Sequence, residues 1–421
     1  SVQCWGENED GQVGDGTTTE RLTPVYVNLS SGSLAAVSER DLDTDDTLNI
    51  FDTHMKGSEA GLVYTNSAIS AGLRHTCAIL DDATLKCWGW NGYGQIGDGT
   101  TTDRSTPVEV SLPSGQNALS ITTGRRHTCA ILDDASLYCW GDNDHGQLGD
   151  GTTTDSSSPV AVSLPSGRTA MALASGFYHT CAILDDASLY CWGDNGYGQL
   201  GDGTNTARTT PTAVNLPSGR TAITVSIGRY HTCSVLDNAS LYCWGYNGYG
   251  NLGDGTTTDR STPVSVSLPS GSTAALVTAG TGLSHTCAVL NDGSLYCWGH
   301  NDYGQLGDGS TTTSYTPVAV SLPSGRSATS VGAGNYHTCG ILDDASLYCW
   351  GYNGEGEVGD GTNYDKSTPT QAALPSGRTA LALDVGSHHA CAVLDDESMV
   401  CWGSGDDGQL GTGNEGANAD E

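Results

Sequence analysis

Cysteine is the residue whose spacing in this chain most directly implies chemistry. Fourteen of the 15 cysteines form seven pairs ten residues apart: Cys77/Cys87, Cys129/Cys139, Cys181/Cys191, Cys233/Cys243, Cys287/Cys297, Cys339/Cys349 and Cys391/Cys401. In each pair the first cysteine follows a histidine by two residues. A pair therefore offers a disulfide or, with that histidine, three of the four ligands that a closed zinc site takes. Seven incomplete zinc sites are the weaker reading, because seven disulfides need only that the two cysteines face each other across a hairpin. Each bridge closes a short loop and contributes about 2–3 kcal/mol. Bridges at this density imply an oxidising compartment, hence an extracellular or cell-surface protein. Cys4 is left over, since its hairpin partner would precede Ser1 in a chain that opens inside a repeat, as a processed or truncated start would. It is free, paired with Cys391 in place of Cys401, or bonded to another chain.

A second constellation lies in the segment 33–66. Asp41, Asp43, Asp45, Thr47, Asn49 and Asp52 set oxygen-bearing side chains at positions 1, 3, 5, 7, 9 and 12 of a twelve-residue loop, the ligand spacing of EF-hand-like calcium loops. Position six is Asp46 where such loops carry glycine, and no helical pattern follows, so Ca2+ competes with a solvated acidic loop as the reading. The recurring Asp-Gly-Thr-Thr-Thr-Asp (98–103, with relatives at 150, 254 and 308) offers oxygens to a cation as well. Its Asp and Thr are better read as satisfying the backbone of a turn.

The third group varies from copy to copy of a repeat. After each Trp-Gly stands Trp90, Asp142, Asp194, Tyr246, His300 or Tyr352, and three residues on stands Tyr93, His145, Tyr197, Tyr249, Tyr303 or Glu355. Just before the repeated histidine stands Arg74, Arg126, Tyr178, Tyr230, Ser284 or Tyr336. Repeats arranged in a ring would gather these positions on one face. Trp90, Tyr93, Arg126, His145, Tyr178, Tyr197, Tyr230, Tyr246, Tyr249, Tyr303, Tyr336 and Tyr352 then make a candidate binding face of residue types enriched in hot spots, with rings able to stack on sugars. The competing reading has the tyrosines merely filling space between loops.

What must position these residues is the repeat. The triplet Cys-Trp-Gly begins at 4, 87, 139, 191, 243, 297, 349 and 401, with spacings of 83, 52, 52, 52, 54, 52 and 52, the first being one period plus a 31-residue insertion. The unit 118–167 reads as four short strands (118–121, 128–132, 136–140 and 159–164) joined by turns, which is the content of one propeller blade. Setting Cys129 opposite Cys139 puts Ile131 opposite Leu137 and leaves Asp133-Asp134-Ala135 as a three-residue turn. Such a turn ends in a position that favours glycine, and one copy has Gly293 there. The repeated histidine is expected to make one and the same buried hydrogen bond in every blade, and the repeated tryptophan to fill the core between blades. The glycines of Gly-Gln-Leu-Gly are expected to hold backbone angles closed to other residues.

Strand counting gives the architecture. Residues 1–30 supply a third and a fourth strand, six whole units follow, and 380–402 supply strands one to three. The chain therefore reads as all-β, a single domain over 1–421. It is a seven-bladed propeller with four short strands and one disulfide per blade, its last blade closed by both termini. The segment 33–66 is an acidic insertion and 412–421 an acidic tail. Composition agrees: 58 Gly, 18 Tyr and 9 Trp stand against 2 Phe, and no apolar run approaches the ~20 residues that cross a bilayer. With 48 acidic against 16 basic residues the formal charge is −32, which repels phosphate backbones and excludes nucleic acid as a partner.

The unit Ala-Gly-Leu-Arg-His-Thr-Cys-Ala-Ile-Leu-Asp-Asp-Ala-Thr-Leu-Lys-Cys-Trp-Gly-Trp-Asn-Gly-Tyr-Gly-Gln-Ile-Gly-Asp-Gly (71–99) resembles the repeat of the RCC1 (regulator of chromosome condensation) family. In that family Gly and His precede the second strand, Trp-Gly ends the third, and Asn-x-x-Gly-Gln-Leu-Gly follows. The resemblance recurs in every unit and implies a seven-bladed propeller. Paired cysteines on both hairpin strands are what it implies for secreted prokaryotic members rather than nuclear ones. An oxidised, strongly acidic chain fits neither nucleotide exchange nor chromatin contact, the roles of the best-known member, whereas other members are surface proteins or enzyme inhibitors.

The functional expectation is an extracellular, non-enzymatic binding or adhesion module that presents its loop-rich face to a protein or a glycan. The alternative is a structural subunit that self-associates through Cys4, its end blade and the insertion. A glycan-active enzyme would need a cluster unique to one blade, such as Arg125, Arg126 and His145; the paired carboxylates that abound here belong to the repeated hairpin turn.

Overall fold

A computed structural model describes residues 3–6, 21–26, 69–72, 75–80, 82–282, 285–396 and 399–403. The insertion 33–66, with Asp41, Asp43, Asp45, Thr47, Asn49 and Asp52, lies outside the described residues, as do the tail 412–421 and the loop residues Arg74 and Ser284.

The described residues form 29 strands and no helix. Strands β7 (Ala118–Thr123), β8 (His127–Leu132), β9 (Leu137–Gly141) and β10 (Ser156–Ala161) pair in order as one antiparallel sheet. Five further four-stranded sheets repeat this plan, with first strands β3 (Ile69–Ala71), β11 (Ala170–Ser175), β15 (Ala222–Ile227), β19 (Ala274–Ala279) and β23 (Ala328–Ala333). Each first strand lies beside the first strand of the next sheet, so the first strands surround the axis and the fourth strands form the rim. The seventh blade joins the chain ends. Strands β27 (Ala380–Val385), β28 (His389–Leu394) and β29 (Met399–Gly403) make a three-stranded sheet, and β1 (Gln3–Gly6), paired with β2 (Arg21–Tyr26), lies against β29.

The hairpin register is the one that the cysteine spacing requires. Cys129 is opposite Cys139 and Ile131 opposite Leu137, with the same alignment in the other blades. Six disulfides follow: Cys77–Cys87, Cys129–Cys139, Cys181–Cys191, Cys233–Cys243, Cys287–Cys297 and Cys339–Cys349, each with its Cα atoms 4.0–4.1 Å apart. Their third-strand members Cys87, Cys139, Cys191, Cys243, Cys297 and Cys349 are fully buried, as are the partners on the second strands. The bridges use both sulfurs of each pair, so the zinc alternative does not hold at these six hairpins. Cys391 is opposite Cys401 and Cys4 opposite Val25 along the backbone; the side chains of these three cysteines lie outside the described residues. The turn ends in the left-handed region as expected, at Ala135 (φ 62°) as at Gly293 (φ 79°).

The fourth strand departs from the sequence reading. It spans 156–161 rather than 159–164, with a bulge between Ser156 and Val160 against β9. Pro159 therefore stands inside the strand, which is tolerable because this is the outermost strand, where a missing N–H removes no ladder bond.

The core sits between blades. Trp140, fully buried, packs with Cys77, Leu85, Cys87 and Ile96 of the preceding unit, and Trp192 and Trp244 repeat this against their own predecessors. Burying one such indole is worth on the order of 4–6 kcal/mol before ordering costs. Hydrogen bonds fix the same joint. The carbonyl oxygen of Gln147 accepts from Trp192 Nε1 at 2.9 Å and from Thr180 Oγ1 at 3.0 Å, both in the next blade. Histidine makes the third bond at five joints, from His75 to Thr128, His127 to Thr180, His179 to Thr232, His231 to Thr286 and His285 to Thr338, all at 2.7–2.9 Å. The expected bond does not recur in every blade, because Ala390 stands where the threonine opposite His337 would be. Close approach at the axis demands glycine: a Cβ on Gly124 would lie 2.5 Å from the carbonyl oxygen of Gly176.

Candidate binding face

Two sets of turns emerge at opposite ends of the blades. One end carries the hairpin turns Asp-Asp-Ala and the Leu-Pro-Ser-Gly connections. The other carries the Gly-x-x-His turns, which ring the axis because they leave the innermost strands, and outside them the long loops that follow Trp-Gly. The candidate residues all belong to this second end.

The long loops owe their shape to side chains that bond their own backbone. In the loop 141–155, Asn143 Oδ1 accepts from the Leu148 N–H at 3.0 Å, and Asp155 Oδ1 accepts from the Asn143 N–H at 2.7 Å. Gly146 turns the chain with φ 79°. Asp98 of the Asp-Gly-Thr motif accepts from the Thr100 N–H at 2.9 Å and from its hydroxyl at 2.7 Å, and pairs with Arg104. These carboxylates serve the turn. Among the described residues, Asp142, Asp144 and Asp155 form one further carboxylate group whose oxygens lie within 4.8 Å of one another. Burial pushes the Asp142 carboxyl up from the usual range.

The fold sets the twelve face residues at this end of six blades, in two groups of contacts. Trp90 meets Tyr93 at 5.5 Å between ring centroids, and the Arg126 guanidinium lies 5.6 Å and 4.9 Å from those two rings, donating to Tyr93 Oη at 2.9 Å. His145 meets Tyr178 at 4.9 Å, and Tyr178 stacks on Tyr230 at 6.3 Å. Tyr197 bridges Tyr230 to Tyr246 at 5.1 Å and 5.2 Å, and Tyr249 follows Tyr246 at 6.3 Å. His300 then joins Tyr249 to Tyr336, and Tyr303 joins Tyr336 to Tyr352. Tyr197 and Tyr249 are the most open rings, at 39% and 38% exposure; the others are half-buried, so the tyrosines also pack one loop on the next. Burial, with neighbouring hydroxyls and carboxylates, raises the phenol pKa of Tyr246 and Tyr352 above its ordinary value.

Two members of this face were not among the positions singled out in the sequence, Phe177 and Arg229, and Arg125, named there only within a possible catalytic cluster, joins them. They occupy one repeat position, two before the histidine, whose occupants run Leu73, Arg125, Phe177, Arg229, Leu283, Asn335 and Ser387. Variation at that position from copy to copy is the signal that finds them. The guanidinium of Arg125 lies 5.4 Å, and that of Arg229 5.1 Å, from the Phe177 ring centroid.

At the opposite end charge is self-matched. Arg168, Arg326 and Arg378 each reach the two adjacent Asp of a hairpin turn, and Arg220 reaches Asp237. The recurring histidines of the joints are buried and neutral: burial holds His127 and His231 down to about 4, and His75, His179 and His285 to about 3.

Comparison with known proteins bears on the family and the fold. The family model described as the RCC1-like domain matches residues 1–282, and that of the regulator of chromosome condensation (RCC1) repeat matches 292–341 and 344–393. The ultraviolet-B receptor UVR8 of Arabidopsis thaliana is 34% identical over 346 residues, which are 82% of this chain and 78% of that protein. Among solved structures, human WBSCR16 aligns with a TM-score of 0.74 at 19% identity, covering 96% of this chain and 98% of the other. Prp20p of Saccharomyces cerevisiae, described together with its binding to Gsp1p and histones, aligns with a TM-score of 0.70 at 20% identity over 91% and 89% of the two chains.

Proposed function

The chain belongs to the RCC1-like family of β-propellers, and from that premise we propose that it is an extracellular, non-enzymatic binding module. Its partner, in this reading a protein, lies across the loop face that carries Trp90, Tyr93, Arg126 and the tyrosine belt. The observation that carries the reading is the run of ring contacts from His145 to Tyr352, with the Trp90, Tyr93 and Arg126 cluster at the same end of the blades. Side chains from six blades, differing from copy to copy, make one surface of the residue types that dominate hot spots, while the arginines of the opposite end are occupied by their own turns.

Family and chemistry both support binding. The relative UVR8 is named a receptor, and Prp20p is described by the proteins that it binds. The disulfides, among them Cys181–Cys191, Cys233–Cys243 and Cys287–Cys297 in three consecutive blades, suit an oxidising compartment, which supports an extracellular setting. His75, His127, His179, His231 and His285 are buried and hydrogen-bonded between blades, a structural duty that leaves them out of reach of a substrate. A filament built through the chain ends is the weaker reading, because β1 lies against β29 within the same chain.

The test is a binding screen of secreted and surface proteins and of a glycan array against the full oxidised chain, with and without calcium, repeated with Tyr197→Ala/Tyr249→Ala. Capture that the double variant loses by about tenfold or more, at unchanged melting temperature, is the expected outcome. Capture indifferent to both tyrosines would overturn the assignment of the face.

A further inference from the structure

Seven described arginines touch a carboxylate: Arg104, Arg208 and Arg260 in the long loops, and Arg168, Arg220, Arg326 and Arg378 at the hairpin turns. Arg125, Arg126 and Arg229 do not. Among the described residues no carboxylate oxygen lies within 4.0 Å of their guanidinium nitrogens. In a chain of charge −32, three unpaired arginines at one place are the reverse of what net charge would distribute.

They cluster at the mouth of the central channel. The turns that bear Arg125, Phe177 and Arg229 leave three consecutive innermost strands, β7, β11 and β15. The guanidiniums lie over aromatic rings: those of Arg125 and Arg229 over Phe177, that of Arg125 also over Tyr178 at 5.4 Å, and that of Arg229 also over Tyr230 at 5.1 Å. Tyr178 Oη accepts from Arg125. Stacking holds a guanidinium in place and leaves its edge, the part that binds a carboxylate in bidentate fashion, without an anion. The Nε atoms of all three arginines are buried and have no hydrogen-bond partner. Burial and the charges of Arg126 and Arg229 lower the pKa of Arg125, against the opposing influence of Asp142 and Tyr230. Like charges packed this closely are costly unless an anion joins them.

We propose that the Arg125–Phe177–Arg229 cluster is an anion subsite that seats the carboxylates of an acidic protein segment at the channel mouth. The inference rests on the reading that this face binds a protein, and names the chemistry of that partner. A peptide fits better than an acidic sugar, because the rings at the cluster are already engaged: the Arg125 and Arg229 guanidiniums lie over Phe177, Tyr178 and Tyr230, and Tyr178 and Tyr230 stack on each other at 25°. Flat stacking surface is therefore scarce.

Hexaglutamate is the probe, with hexaglutamine and polygalacturonate beside it, titrated into the full oxidised chain at two salt concentrations. Hexaglutamate is expected to bind, more weakly at high salt, and hexaglutamine not to bind. Arg125→Gln/Arg229→Gln is expected to weaken hexaglutamate by about tenfold or more, Arg229→Lys to weaken it less, and Arg168→Gln at the far end to leave it unchanged. Melting curves confirm that each variant is folded. The proposal is overturned by no hexaglutamate binding by the parent chain, by binding indifferent to the double variant, by polygalacturonate bound more tightly than the peptide, or by a peptide-free self-association that the double variant abolishes. A protein partner captured through Tyr197 and Tyr249 but unaffected by the arginine variants would overturn this inference while leaving the binding face standing.

Discussion

His127 Nε2 stands 2.9 Å from the hydroxyl oxygen of Thr180, in the neighbouring blade. That hydroxyl gives its single proton to the carbonyl oxygen of Gln147, 3.0 Å away, so toward His127 it can only accept. The imidazole therefore carries its proton on Nε2, and its bare Nδ1, which has no hydrogen-bond partner, packs against Gly124. One residue pair thus ties a histidine tautomer to the docking of two blades.

Thr180→Val removes both the acceptor for His127 and the donor to Gln147 while keeping the volume. It should cost about 1–3 kcal/mol, the penalty for stranding buried polar groups, whereas Thr180→Ser should cost much less. Urea midpoints of the oxidised chain measure the difference. A valine variant as stable as the parent would mean that the joint rests on Trp192 and its apolar surroundings alone.

The same geometry fixes a pH dependence. A second proton on His75, His127 or His179 would have to sit on Nδ1, which has no hydrogen-bond partner, and burial already holds these three, with His231 and His285, near 3 to 4. The unfolded chain takes up these protons near pH 6.5 and the folded chain does not. Their contribution to stability is complete above about pH 6.5 and is lost as pH falls from there toward 4, by up to about 1.4 kcal/mol per pH unit for each histidine. Urea midpoints should fall between pH 6.5 and 4.5, before most surface carboxylates titrate. A flat profile over that interval would contradict neutral burial of the histidines.

The hairpin turns hold strain that glycine relieves. Ala135, Ala187, Ala239 and Ala345 sit at φ 59–62°, where Gly293 occupies the equivalent place in its own blade. Left-handed backbone costs an alanine about 1–2 kcal/mol, of which the greater freedom of glycine in the unfolded chain takes back roughly half. Each Ala→Gly change should therefore stabilise by about 0.5–1 kcal/mol, and a fourfold variant should melt several degrees higher. Melting temperatures that fall with each added glycine would refute the strain.

How much of this was readable follows from where each contact lies along the chain. The turn at Ala135 and the opposition of Cys129 and Cys139 are local, so spacing and turn chemistry reach them directly, and the same ten-residue spacing reaches Cys191, Cys243 and Cys297 from their partners. The Trp-Gly and Gly-x-x-His positions were legible as equivalent places in a ring, because a period of 52 residues carries any position to the next blade. The partner of His127 lies 53 residues away, and only three-dimensional stacking reveals that it is a threonine hydroxyl. Pro159 misled the reading of the fourth strand because its tolerance depends on an outer edge that sequence does not display. Arg229 and Phe177 were hidden for another reason: their meaning lies in the absence of a carboxylate, which no residue type announces.

Glu357 breaks the repeat in a way that makes a final prediction. It takes the place of Gln95, Gln147, Gln199, Asn251 and Gln305 and is fully buried. Its Oε2 accepts from the Glu355 N–H at 3.0 Å, as the glutamine oxygens do in their loops, while Oε1 has no hydrogen-bond partner and faces His388 at 4.0 Å. Burial pushes the carboxyl up to about 8, opposed by the backbone N–H bonds and reinforced by Glu355 and Asp365. The unfolded chain releases this proton near pH 4.5 and the folded chain keeps it until about 8. The stability that Glu357 contributes is therefore present below pH 4.5 and lost as pH rises through 8, the opposite sign to the histidines. Glu357→Gln supplies the amide of the other blades and no charge to bury. It should stabilise the propeller by on the order of 1–3 kcal/mol at pH 7–8 and by little at pH 4.5. Urea midpoints of parent and variant at the two pH values decide it, since a gain of equal size at both would trace to amide packing and not to the buried proton.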